Sequence, residues 1–116
     1  LAADLRQTVN EMTSRAALLL YAALLAGSAR AQAPDPADLS RRAREHMAAG
    51  HYGAAVPYYD QLVKVMPQNT GLRLNLAMAL HLSGQNERAV PEFELVLKQQ
   101  PNLLPALMLL GAAEMQ

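Results

Sequence analysis

The side chains that could do chemistry in this sequence are His46, His51 and His81, the acids Glu45, Glu92 and Glu94, and the hydroxyls of Ser40 and Ser83. Imidazoles with carboxylates can ligate a metal or move protons, and a hydroxyl beside a base can act as a nucleophile. Spacing argues against each use. Glu45 and His46 adjoin, and neighbours on a helix point about 100° apart. A five-residue step separates His46 from His51 across an expected helix end, which should not set the two rings on one face. Neither serine has a base at helical spacing, and Glu92 with Glu94 reads as a solvated helix face. No His-Glu-x-x-His or phosphate-loop pattern occurs. The expectation is a chain with no catalytic, cofactor or metal site, and not an enzyme.

Composition narrows the remaining classes. Ten basic and ten acidic residues leave the chain formally neutral, so no basic excess exists to neutralise phosphates, and nucleic acid is not an expected partner. Cysteine is absent, which removes disulfides and thiolate metal sites. With 52% hydrophobic residues in 116, there is material for one small core at most.

That core is organised by a repeat. Gly50, Tyr52, Ala55, Tyr59 and Pro67 recur 34 residues later as Gly84, Asn86, Ala89, Phe93 and Pro101. The same offset pairs Ala43 with Ala77, Ala77 with Gly111, and Leu76 with Leu110. A period of this length marks stacked units. Each conserved type has a physical role. Gly50 and Gly84 suit a left-handed backbone at a helix end. The small Ala43, Ala55, Ala77 and Ala89 let helix axes approach closely. Tyr59, Leu62, Phe93 and Val96 fill the space between units, and Pro67 and Pro101 stop helices. Helices are expected near 37–49, 53–65, 70–83, 86–99 and 102–115, with caps from Asp38, Asn69 or Thr70, and Asn102.

The pattern resembles the tetratricopeptide repeat, a helix–turn–helix unit. Leu76-Ala77 and Leu110-Gly111 stand where that family has Leu-Gly, and Gly50, Tyr52 and Ala55 supply its Gly, Tyr and Ala. Arg42 and His46 depart from it in the first helix, where apolar residues are usual. The resemblance implies an all-α fold, an α-solenoid of antiparallel helix pairs coiled into a right-handed superhelix. About two and a half units are expected: 37–69, 70–103, and the first helix of a truncated third at 104–116. It also implies a protein or peptide partner, held in a concave groove lined by the first helix of each pair. Those groove positions are Ser40, Arg44 and Met47, then Leu74, Met78 and His81, continued by Pro105, Leu109 and Ala112. Methionines repack easily and suit such a surface, and Arg44 could grip a partner carboxylate. The carboxylate-clamp variety of the family wants Lys, Asn and Arg in the groove, and only Asn75 agrees.

Residues before Pro34 do not fit the repeat. Met12-Thr13-Ser14-Arg15 is short and basic, and Ala16 to Ala26 is an unbroken apolar run. Gly27-Ser28-Ala29-Arg30-Ala31 then offers small residues two apart. That order is the pattern of a secretory signal peptide at 12–31, a helical segment cleaved after Ala31, with 32–36 as a linker. Met12 is then the expected start of translation, and 1–11 is expected to be an upstream artefact. The expected location is the periplasm or the exterior of a bacterial cell, with no stable membrane span once the signal is cleaved. An uncleaved amphipathic helix from Leu5 to Leu25, serving as a membrane anchor or a packing helix, is the alternative. The remaining seven basic and eight acidic residues after Ala31 leave a charge of about −1.

The functional expectation is an exported scaffold for protein–protein interaction. The alternative is the leading fragment of a longer repeat protein or enzyme whose activity lies beyond Gln116. The stretch Leu103–Met115 is rich in leucine and lacks the polar face of a terminal repeat, so self-association through it is a third expectation.

Overall fold

Two glycines at positive φ organise the repeat region. Gly50 has φ 77° and Gly84 has φ 82°, a conformation that costs an L-residue about 1–2 kcal/mol and glycine almost nothing. In the computed structural model, which describes residues 2–31 and 34–116 (side chains at 3–21 and 34–116), each of these glycines closes a helix with the same hydrogen bonds. Gly50 N–H donates to Met47 and His51 N–H to His46; Gly84 N–H donates to His81 and Gln85 N–H to Leu80. This is the Schellman arrangement, which satisfies carbonyls the helix end would otherwise leave unpaired.

The chain forms two units, Leu1–Pro34 and Asp35–Gln116. The first is a helix, α1 (Ala2–Ala31), whose Leu5, Val9, Leu18, Leu19, Leu20 and Tyr21 are exposed. The expected cleavage point between Ala31 and Gln32, and the side chains of the small-residue stretch before it, lie outside the described residues. Among the described residues no helix is long and apolar enough to cross a membrane.

The second unit is all α: α2 (Pro36–Ala48), α3 (Tyr52–Val65), α4 (Thr70–Leu82), α5 (Asn86–Gln99) and α6 (Leu104–Glu114). Each helix packs on the next, and α4 also touches α6. The arrangement is an α-solenoid of antiparallel pairs, α2 with α3 and α4 with α5, followed by the unpaired α6. The four alanines expected at crossings, Ala43, Ala55, Ala77 and Ala89, are fully buried. Tyr59, Leu62, Phe93 and Val96 join Leu76 and Leu80 in one continuous core. Burying a large apolar side chain contributes about 1.5–3 kcal/mol, so these few residues dominate the stability of the stack.

Local details correct two expectations. Asp38 does not cap α2; Asp35 does, its Oδ1 accepting from Ala37 N–H at 3.1 Å. Pro36 at the first turn sets this start, because its fixed φ suits a helix and its missing N–H needs no partner there. Asn102 does not cap α6, whose N-cap is Leu103 with no side-chain bond. Asn69 caps α4 as expected, accepting from Leu72 N–H at 3.1 Å. Proline also does more than end helices: Pro57 and Pro91, 34 residues apart, lie inside α3 and α5 on exposed positions. They stand within the first two turns of each helix, so each removes an early backbone bond without breaking the packed half.

Candidate functional site

The six groove positions sit at matched places on α2 and α4. Ser40, Arg44 and Met47 follow i, i+4, i+7 spacing, as do Leu74, Met78 and His81, so each trio shares one helix face. Ser40 is half-buried and Arg44 exposed, while Met47, Leu74 and Met78 are partly buried with their undersides on the core. His81 is held in place: its Nδ1 lies 2.7 Å from Asn86 Oδ1, and Asn86 Nδ2 donates to Gln116 Oε1 at 2.9 Å.

The third helix carries a strip that spacing within α6 alone did not reveal. Adding 34 to Leu74, Met78 and His81 gives Met108, Ala112 and Met115, so Ala112 is kept and Met108 and Met115 replace Pro105 and Leu109. Met108 is 66% exposed and Met115 88%, whereas Leu109 is partly buried against the core. The repeat offset was the signal that finds them. Across α2, α4 and α6 the strip therefore changes from Ser-Arg-Met through Leu-Met-His to Met-Ala-Met.

Charge is distributed unevenly along this layer. On α2, Arg41 bridges Asp38 at 2.5 Å and Glu45 at 2.7 Å, and Arg42 pairs with Asp38 at 2.9 Å. The hydrogen bond from Arg41 holds the Asp38 carboxyl below its usual range. Arg44 has no acid three or four residues away on its helix and makes no ion pair among the described residues. Its charge reaches the buried Tyr59, whose phenol is pushed up by burial and pulled back in part by Arg44.

Other polar groups serve the scaffold. Glu92 is not solvated: it accepts from Arg73 at 2.7 Å, and both are about one-fifth exposed. The first repeat has Leu39 and Tyr58 in those places, so a largely buried ion pair stands where the first repeat has two apolar residues. His46 and His51 do approach, against expectation, with ring centroids 6.2 Å apart, and His46 stacks on Tyr58 at 5.5 Å. The Gly50 turn folds His51 back toward the end of α2. Among the described residues no group of three metal-ligating side chains forms around them. A recess of about 650 Å³ beside the second turn is lined by the amides of Gln85, Asn86 and Gln116, by Glu87 and Arg88, and by Val90 and Ala113, so Glu87 is its one carboxylate and no histidine, serine or lysine joins it.

Residues 46–113, more than half of the chain, match a family model described as tetratricopeptide repeat. No curated protein matches the chain significantly.

Proposed function

We propose that this chain, which belongs to the tetratricopeptide repeat family, is an exported scaffold that holds another protein or peptide on the face shared by α2, α4 and α6. Proteins of this family generally bind protein partners, and non-catalytic scaffolding is the usual role of the repeat. The observation that carries the reading is the strip recurring at 34 residues, in which Met47, Leu74 and Met78 rest on the core while Arg44, Met108 and Met115 stand exposed. Partly sheltered methionine and leucine, fixed on rigid helices, give contact area at little ordering cost. A photoreactive residue at Met78 or Met108 should cross-link a partner in envelope extract, and one at Lys64 or Lys98 should not. Equal yields from both sets would reject the face.

Export rests on the order of segments at residues 12–31: a basic start, an apolar run, and small residues. Fusing residues 12–36 to a reporter active only outside the cytoplasm should yield activity. A silent fusion with normal expression would leave a scaffold without an export route.

A second reading attaches to α6. Leu104 is 63% exposed and Leu107 45%, and a Cβ placed on Gly111 would meet nothing within 4 Å. Ala43 and Ala77, at the same place in earlier repeats, are covered completely. Self-association through Leu103–Met115 would shield this surface. Light scattering at rising concentration tests it, since a constant monomer mass would reject that role.

A further inference from the structure

We propose that the shared face selects a partner segment with an acidic residue at one end and apolar side chains at the other, its acid on Arg44 of α2 and its apolar residues on Met78 and Met108. This rests on the reading of that face as the binding surface and adds the partner's chemistry and direction.

The gradient along the three helices carries the inference. At the α2 end, Asp38 and Glu45 are already engaged by Arg41 and Arg42, so they cannot neutralise Arg44. An exposed guanidinium beside the partly buried Ser40 and Met47 offers a charge-assisted pair to a carboxylate, and repels a lysine or arginine. At the α6 end the strip holds Met108, Ala112 and Met115, with no charge. Glu114, the one charged residue of α6, precedes Met115 and points about 100° away from it. A charged partner residue set there would lose water and gain no counter-ion, whereas an apolar one is welcome. Between them, α4 supplies Leu74 and Met78 with Asn75 alongside, a surface that accepts apolar side chains and can bond a backbone. Reversing the partner would place its acid on methionine and leave Arg44 facing hydrocarbon, so the two directions are unequal.

The probe is a fluorescein-labelled dodecapeptide with a pair of aspartates at one end and leucines through its other half, beside a twin with lysines replacing the aspartates. Fluorescence anisotropy with the full chain should show the acidic peptide binding about tenfold or more tightly at low salt, with the gap narrowing as salt screens it. Arg44→Glu should reverse the order of the two peptides, and Arg44→Gln should bring them level. Arg44 is solvated, so the helices should keep their circular dichroism. Met108→Asp should weaken both peptides. A benzophenone at the acidic end should label residues 36–48, and one at the apolar end residues 104–116. An unchanged preference in Arg44→Glu, with labelling still confined to these helices, would overturn the partner chemistry and spare the face. Labelling with the ends exchanged would overturn the direction. Binding of neither peptide, or labelling away from α2, α4 and α6, would remove the face and this proposal together.

Discussion

The first and last helices of the repeat stack occupy equivalent places and treat water oppositely. On α2, Arg42 and His46 stand where α4 buries Leu76 and Leu80. These polar groups are occupied locally: Arg42 pairs with Asp38 at 2.9 Å, and His46 lies flat on Tyr58. On α6, Leu107 and Gly111 stand where α2 buries Leu39 and Ala43, yet they lie open. One flank is finished with side chains that satisfy each other, as a terminal repeat of a solenoid needs. The other presents an oily surface whose contribution to stability depends on what covers it. Sequence periodicity alone makes the units look alike; exposure separates them.

The largest test of this contrast compares Leu80→Arg with His46→Arg. Leu80 is fully buried, so a charge there should cost more than about 4 kcal/mol, while the change at His46 should stay within about 1 kcal/mol. Similar losses in urea midpoints would mean that α2 is not a finished flank. Next in size is Ala77→Leu against Gly111→Leu. Overpacking at the covered crossing should cost about 1–3 kcal/mol, whereas the open place should gain up to about 0.8 kcal/mol from helix propensity. A loss at Gly111 as large as at Ala77 would show that α6 is covered in solution. Smaller still is Leu107→Glu, expected to move stability by about 0.5 kcal/mol or less while lowering the weight-average mass at high concentration. A stability loss with unchanged mass would count against association through α6.

The smallest effect concerns protons. The folded Asp38 carboxyl titrates below its unfolded value, so it binds its proton more weakly in the folded chain. Its contribution is fully present above the unfolded pKa and is lost as pH falls through the folded one. Acid should therefore loosen α2, through its Arg41 and Arg42 pairs, in the range below about pH 4. Carboxyl NMR shifts would follow the titration, and an Asp38 midpoint at or above the ordinary value would refute it.

Much of this fold was legible because several residue types agreed at one spacing. Gly50 and Gly84 end helices, Ala43 through Ala89 mark crossings, and Phe93 and Tyr59 wedge between units, so helix bounds fall within about two residues of expectation. Contacts made by polar side chains were harder to foresee. Asp38 has the type of a cap and instead joins two arginines, and Glu92 finds Arg73 on the neighbouring helix. The His46–His51 approach depends on how the Gly50 turn directs the chain, which residue spacing does not convey. Of the candidate face, Ser40, Arg44, Met47, Leu74, Met78 and His81 came from the family resemblance, which names the first helix of each pair. Met108 and Met115 were missed where α6 was phased from its own apolar residues, which are apolar on every side and give no phase.

The twin glycine turns leave a lasting mark on how this protein can change. Because the same backbone bonds close both hairpins, the residues just after the glycine differ, His51 and Tyr52 in one and Gln85 and Asn86 in the other. Superhelical pitch is thereby uncoupled from decoration. A lineage could redraw its outer rim one substitution at a time, and the spiral beneath would keep its shape.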